Sequence, residues 1–203
     1  MTQPRNVAIV IFDDVEVLDF CGPFEVFSVT GRTREVRPFN VYTVAETLAS
    51  VMTRGGMSVN PRYSIVDCPP PDIVVVPGGY GTRRAMRSEA LITWIRQMAL
   101  RSEIIASVCT GSLVLGAAGL LDGLRATTHH SAFDLLREAA PAAHVLEDVR
   151  FVDNGAVVTS AGISAGIDMA LHLVARLLGE DAAWETAHYM EYDWAGEAAQ
   201  RHQ

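Results

Sequence analysis

The stretch Ile104–Ala117, with the sequence IIASVCTGSLVLGA, joins a buried strand to a helix through a turn of small residues. The apolar run Ile104–Val108 is typical of a strand that is covered on both faces, and a helical pattern begins by Ser112. Cys109 stands between them, and Gly111 allows the backbone to reverse sharply. A residue in such a turn projects at the carboxyl end of the sheet, as described for nucleophilic serines. The stretch therefore predicts an α/β domain with a functional cysteine at the end of a strand.

Strand and helix patterns alternate along the rest of the chain. Four further apolar runs predict strands, and the segments between them carry helical spacing. The predicted strands are Val7–Phe12, Val41–Val44, Ile73–Val76 and Ala156–Thr159, and the predicted helices are Leu18–Thr30, Ser88–Arg101, Ser112–Ala118, Ser131–Ala139, Ile167–Leu178 and Ala182–Tyr192. Asn154-Gly155 is a hairpin-turn signal, which predicts that Val149–Val152 pairs with the last of these strands at an edge. The alternation predicts a flavodoxin-like three-layer sandwich, in which helices cover both faces of a mainly parallel sheet.

Length and composition fit one domain. A chain of 203 residues suits an undivided α/β domain. Hydrophobic residues make up 49% and charged residues 20% of the chain, which is typical of a globular protein. We expect a single domain over residues 1–203, with its core between about residues 6 and 192.

The net charge and the cysteine content indicate which ligands the protein binds and in which compartment it occurs. The formal net charge of −8 argues against nucleic-acid binding by this chain, because phosphates are neutralised by Lys and Arg. No stretch approaches the roughly 18 apolar residues of a membrane span, and the first apolar run is too short for a signal peptide. The three cysteines lack CxxC spacing, which indicates reduced thiols. We expect a cytoplasmic protein that binds a small neutral or weakly polar molecule and neither nucleic acid nor membrane.

Cys109 is the strongest candidate for a nucleophile. A helix N-terminus supplies positive partial charge and free N–H groups, which stabilise a thiolate and lower the cysteine pKa from about 8.5. We therefore expect the thiol of Cys109 to be ionised and exposed. Cys21 and Cys68 lack this setting, and we expect them to act as small apolar side chains.

Asp19 follows the first predicted strand, so it too lies at the carboxyl end of the sheet. Its neighbours Val17, Leu18 and Phe20 are apolar, and an unpaired carboxylate in such surroundings is unfavourable. Two explanations remain open. Asp19 either has a partner or keeps a proton through a raised pKa, or it caps the start of the helix.

A glycine-rich turn, PGGYG at residues 77–81, follows another predicted strand. Its glycines allow backbone N–H groups to face inward, where they could stabilise a developing negative charge. The turn lacks the spacing of a phosphate loop, and no metal, nucleotide or flavin cofactor is indicated. His129 and His130 lack metal-ligand spacing, so packing or hydrogen bonding is their expected role, with a base for Cys109 as the alternative.

At these segments the chain resembles the ThiJ/PfpI superfamily, which is related in fold to class I glutamine amidotransferases. The stretches that carry the resemblance are LDFCGP (18–23), PGG (77–79), SVCTGS (107–112), ATTH (126–129) and AGISAGID (161–168). Within the superfamily the chain is most similar to the isonitrile hydratase branch. Protease-type members have His where this chain has Thr110 and Glu where it has Asp19, so peptidase and deglycase activities are not implied.

The resemblance implies a hydratase that adds water to a small isonitrile and gives an N-formamide through a covalent cysteine thioimidate. In this interpretation Cys109 is the nucleophile, and Asp19 interacts with it and transfers protons. Backbone N–H groups of Thr110 and Gly79 would stabilise charged intermediates. The branch also implies a homodimer.

Further residues are expected to line the substrate pocket. Gly162 and Ile163 are placed there by the resemblance, on the turn before the next helix. Gly79, Tyr80 and His129 are the other expected substrate-binding residues.

Two other functions remain open. The same domain occurs as the ligand-sensing amino-terminal module of AraC-type transcriptional regulators, which continue into a helix-turn-helix pair. The residues up to Gln203 contain no such pair, so we expect either a stand-alone enzyme or the sensing part of a regulator. The third hypothesis is a redox or stress protein in which Cys109 is oxidised to sulfenic or sulfinic acid.

Overall fold

A central β-sheet organises the described part of the chain, which is residues 3–32 and 37–196 of a computed structural model. The elements are β1 (Arg5–Val10), α1 (Val17–Val29), β2 (Phe39–Ala45), β3 (Val51–Met52), β4 (Ser58–Val59), β5 (Tyr63–Ser64), β6 (Ile73–Val76), α2 (Thr82–Ala85), α3 (Glu89–Ala99), β7 (Ile104–Val108), α4 (Gly111–Ala117), β8 (Arg125–Ala126), α5 (Phe133–Ala139), β9 (His144–Val145), β10 (Phe151–Asp153), β11 (Val157–Ser160), α6 (Ala165–Leu178) and α7 (Glu180–Tyr189). A short 3₁₀ helix, His130–Ala132, precedes α5.

Within these residues, seven strands form one sheet in the order β10-β11-β7-β6-β1-β2-β5. Neighbouring strands are parallel except β10, which pairs antiparallel with β11 at the edge. The predicted hairpin around Asn154-Gly155 is confirmed, with Val152 opposite Thr159. The order places the carboxyl ends of β7, β6 and β1 side by side. Cys109 follows β7, the glycine-rich turn at residues 77–81 follows β6, and the segment with Asp19 follows β1.

Helices cover both faces of the sheet, which explains the continuous apolar runs of the central strands. Val7 and Ile9 of β1 belong to a core shared with α1, α6 and α7. Ala8 and Val10 of the same strand belong to a second core, shared with α3, α4 and α5. The predicted flavodoxin-like α/β fold is therefore confirmed.

The predicted elements differ from the observed ones mainly at their ends. The strands Ile73–Val76 and Ile104–Val108 have the predicted bounds, whereas α1 and α4 each begin one residue earlier than predicted. The short strands β3, β4, β5, β8 and β9 were missed, because two residues are too few to show a hydrophobic period. In the part of the chain that is described, no helix has the length and apolar character needed to cross a membrane.

Close backbone contacts hold the loops after the central strands together. A Cβ atom on Gly111 would collide with the carbonyl oxygen of Val76, and one on Gly81 would collide with the carbonyl oxygen of Asp13. Only glycine fits at these positions. The first contact joins the start of α4 to the end of β6, and the second joins the glycine-rich turn to the loop after β1.

We expect Gly111→Ala to destabilise the protein by about 1–3 kcal/mol, since overpacking forces the backbone of β6 and α4 apart. Urea unfolding of the wild type and the variant measures this change. Gly55→Ala is the matched control, because its Cβ would meet only the Cγ2 atom of Val17 at 3.8 Å. Equal unfolding midpoints for the two variants would show that the close contact at Gly111 has no energetic role.

Candidate active site

Cys109 occupies the turn between β7 and α4 in an unusual backbone conformation. Its φ of 57° lies in the left-handed region that residues other than glycine rarely adopt. Its N–H donates to the carbonyl oxygens of Ser160 (3.1 Å) and Ala161 (3.0 Å). The hydroxyls of Ser112 and Thr128 donate to its own carbonyl oxygen at 3.2 and 3.0 Å. These four hydrogen bonds hold the cysteine in the strained turn that its sequence predicted.

The sulfur of Cys109 is more buried and less acidic than the sequence predicted. The residue is 6% exposed. Burial raises the pKa of its thiol to about 12, and the charge of Asp19 adds to the rise. The N–H of Thr110 lowers this pKa, as expected before a helix, but desolvation outweighs it. The prediction of an exposed, ionised thiolate at Cys109 is therefore wrong.

A cavity of about 300 Å³ nevertheless opens beside Cys109. Six of the eight predicted site residues line it, namely Gly79, Tyr80, Cys109, Thr110, His129 and Ile163. Asp19 and Gly162 are not in its lining. The thiol is thus at the edge of a space that is large enough for a small molecule.

Four residues that line this cavity were not predicted: Glu16, Arg54, Arg83 and Ser131. Glu16 stands directly before α1, while Arg83 and Ser131 lie within a few residues of motifs that the sequence singles out. Their closeness to these motifs in the sequence could have identified them as site residues. Arg54 lies between β3 and β4, in a region with no such motif, so no sequence signal points to it.

Asp19 is fully buried beneath the glycine-rich turn. Its Oδ2 atom accepts the N–H of Gly78 at 3.0 Å, and its Oδ1 atom is buried with no hydrogen-bond partner in the described residues. Burial raises the pKa of Asp19 to about 7, whereas the N–H of Gly78 and the thiol of Cys109 act to lower it. Glu16 holds the N-cap position of α1, so the capping explanation for Asp19 is wrong.

The Asp19 carboxyl and the Cys109 thiol titrate as one pair, since each shifts the pKa of the other. The pair loses a first proton near pH 7 and a second only near pH 12, so it holds one proton in between. A thiol beside a carboxylate and a thiolate beside a carboxylic acid are the two forms of this singly protonated pair. The Oδ1 atom of Asp19, which has no other partner in the described structure, is available to carry the proton.

Hydrogen bonds of Thr110 connect the glycine-rich turn at residues 77–81 to the turn that contains Cys109. The N–H of Gly79 donates to Oγ1 of Thr110 at 3.0 Å, and that hydroxyl lies 3.2 Å from the carbonyl oxygen of Gly79, to which it donates. The N–H of Gly79 is therefore occupied, in contrast to the expectation that it would donate to an intermediate. The N–H of Thr110 instead acts on the sulfur of Cys109.

His129 packs against the turn that contains Gly162 and Ile163. A Cβ on Gly162 would overlap the His129 ring, so the ring and the turn fit only with glycine. Nδ1 of His129 accepts the N–H of Ser131 at 3.2 Å, which leaves the proton of the neutral ring on Nε2. Burial lowers the pKa of His129, and the neighbouring His130 lowers it further. His129 is thus a neutral side chain at the cavity wall, with Nε2–H as its donor.

The other two cysteines lie outside this cavity. Cys21 and Cys68 are free and half-buried, and burial raises the pKa of each thiol. Their setting agrees with the expectation that they act as small apolar side chains.

Comparisons with known proteins agree with this arrangement. The DJ-1/PfpI family matches residues 5–176. The isonitrile hydratase of Pseudomonas putida is 39% identical over 187 residues, which are 92% of this chain and 78% of that enzyme. The HTH-type transcriptional regulator CdhR of Pseudomonas aeruginosa is 33% identical over 168 residues, which are 77% of this chain. The aligned part is 49% of the regulator, so it spans about half of its length.

The fold is also similar to that of a solved structure. A crystal structure of a ThiJ/PfpI family protein from Pseudomonas syringae superposes with a TM-score of 0.86 at 30% sequence identity. The superposition covers 97% of this chain and 78% of that one. The family match includes the strand-to-helix turn of Cys109, the glycine-rich turn and the helix that carries Asp19. The chain belongs to the DJ-1/PfpI family.

Proposed function

We propose that the protein is a cysteine-dependent hydratase that adds water to a small isonitrile and releases an N-formamide. The observation that carries this proposal is the buried Asp19–Cys109 pair, which exchanges a proton near pH 7 and lies beside a cavity of about 300 Å³. The similarity to the isonitrile hydratase of Pseudomonas putida supports the choice of substrate class.

In the first step the sulfur of Cys109 attacks the terminal carbon of the isonitrile R–N≡C. Asp19 delivers the proton of the pair to the same carbon, so one C–S bond and one C–H bond form. The product is a thioimidate, R–N=CH–S–Cys109, and Asp19 is left ionised. A carboxyl with a pKa near 7 suits this role, because it can both give and take a proton at neutral pH.

In the second step water adds to the thioimidate carbon. Ionised Asp19 removes a proton from the water as the C–O bond forms, and passes it to the nitrogen, which gives R–NH–CH(OH)–S–Cys109. The C–S bond then breaks, the hydroxyl proton returns to Asp19, and R–NH–CHO leaves. The sulfur departs as a thiolate, so the pair again holds one proton. The N–H of Thr110 stabilises the charge on the sulfur before attack and after release.

A ligand-sensing role is the second candidate function. It is favoured by the 33% identity to CdhR of Pseudomonas aeruginosa. In that case the same cavity binds a small molecule without turning it over. The redox hypothesis, in which Cys109 is oxidised to sulfenic or sulfinic acid, stays a prediction. A homodimer and a cytoplasmic location stay predictions.

The hydratase proposal predicts that purified wild-type protein converts phenyl isocyanide to N-phenylformamide. Cys109→Ser should form none above the uncatalysed background, because serine is a far weaker nucleophile. Cys68→Ser is the matched control and should keep the wild-type rate, since Cys68 lies outside the cavity. Product is measured by liquid chromatography with an authentic standard. Absence of N-phenylformamide with the wild type would reject the hydratase and favour the sensing role.

The rate of hydration should depend on pH through the Asp19–Cys109 pair. Below pH 7 the pair carries two protons and the sulfur is a neutral thiol, so kcat/KM should rise with pH and level off with an apparent pKa near 7. Asp19→Asn should remove this dependence and lower the plateau by about 100-fold or more, the usual contribution of a general acid or base. Steady-state kinetics between pH 5 and 9 measures both. A wild-type rate that does not change over this range would contradict the shared proton.

A further inference from the structure

Two arginines of the cavity lining lie near the ring of Tyr80. The Cζ atom of Arg83 lies 5.1 Å from the centre of the Tyr80 ring, and that of Arg54 lies 5.5 Å from it. Both side chains line the cavity. Tyr80 is 60% exposed, so its ring and the two arginines near it lie at the solvent side of the cavity.

Neither guanidinium has a carboxylate partner in the described part of the chain. Arg83 donates to the carbonyl oxygen of Gly79 at 3.5 Å and to the hydroxyl of Thr82 at 3.3 Å, which are long hydrogen bonds. The side chain of Arg54 has the Tyr80 ring as its contact. Other described arginines do pair with an Asp or Glu: Arg5, Arg84, Arg137, Arg150 and Arg176. The cavity arginines therefore retain donors that a ligand can use.

Glu16 also lines the cavity, and the carbonyl oxygen of the preceding Val15 accepts the backbone N–H of Arg54 at 3.0 Å. The N–H of Glu16 donates to the carbonyl oxygen of Gly78, the residue that also binds Asp19. Its charge raises the pKa of both Asp19 and His129. The lining thus holds two cationic side chains, Arg54 and Arg83, and one anionic side chain, Glu16. A ligand that reaches Cys109 with one end places its other end near Arg54 and Arg83.

We propose that Arg54 and Arg83 bind a carboxylate on the substrate, so that the protein prefers small carboxylate-bearing isonitriles to neutral ones. The isonitrile part of this inference rests on the proposed hydratase function, whereas the charge preference rests on the two arginines. The planar guanidinium matches the two oxygens of a carboxylate. The net charge of −8 predicted a neutral or weakly polar ligand, but the charge at the cavity mouth is opposite to that of the whole chain.

Hydration of a matched substrate pair tests the preference. 4-Isocyanobenzoate and 4-isocyanobenzamide have nearly the same shape and differ in charge. An exposed ion pair changes an equilibrium by up to about fivefold, so two arginines should give about a tenfold effect together. The ratio of kcat/KM for the carboxylate to that for the amide should fall about threefold in Arg54→Gln or Arg83→Gln and about tenfold in the double variant. Arg101→Gln, an exposed arginine outside the cavity, should keep the wild-type ratio.

Alkylation of Cys109 tests the arginines without isonitrile chemistry. 4-(Iodoacetamido)benzoate and 4-(iodoacetamido)benzamide are similar in size and differ in charge at the end away from the reacting carbon, and peptide mass spectrometry measures their rates at Cys109. Relative to glutathione, the wild type should favour the benzoate about tenfold, and the double variant should lose that preference. If the wild type hydrates neither isonitrile but shows this preference, the hydratase function fails while the carboxylate site stands. A preference for the benzoate reagent that is equal in the wild type and the double variant would overturn the carboxylate site, whatever the hydration result.

Discussion

The burial of the Asp19 carboxyl beside the Cys109 thiol is the constraint on which the rest of the site depends. A carboxylate without solvent needs compensation, and here the N–H of Gly78 serves only one of its oxygens. Burying the charged carboxylate remains unfavourable, and protonation of the pair removes that cost. The pKa of Asp19 therefore rises to about 7. A proton held in this way is available for transfer within the site.

The fold supplies this arrangement through the order of its central strands. Asp19 follows β1, Gly78 follows β6 and Cys109 follows β7, and these three strands are neighbours. At this junction the Asp19 carboxyl is fully buried and Cys109 is 6% exposed. The close packing of the loops costs stability, because it requires the left-handed backbone of Cys109 and the exclusion of any side chain at positions such as Gly111. The hydroxyls of Ser112 and Thr128 offset part of that strain.

Local patterns were enough to predict the central strands, the hairpin and the position of Cys109 in its turn. Each of these depends on residues that are adjacent in sequence. The protonation of Cys109 could not be predicted, because it depends on desolvation by distant segments. The helix start lowers the thiol pKa as expected, yet burial against Asp19, 90 residues earlier in the numbering, reverses the result. The occupied N–H of Gly79 and the position of Arg54 at the cavity mouth likewise arise from tertiary contacts.

A difference titration tests the shared proton most directly. Potentiometric curves of the wild type and of the Asp19→Asn, Cys109→Ala double variant are subtracted, so that the contributions of other groups cancel. The account predicts that the wild type releases one additional proton between pH 5 and 8, with a midpoint near pH 7, and retains the next one beyond pH 10. A difference curve with no release between pH 5 and 8 would contradict it, since Asp19 and Cys109 would then titrate as ordinary, independent groups.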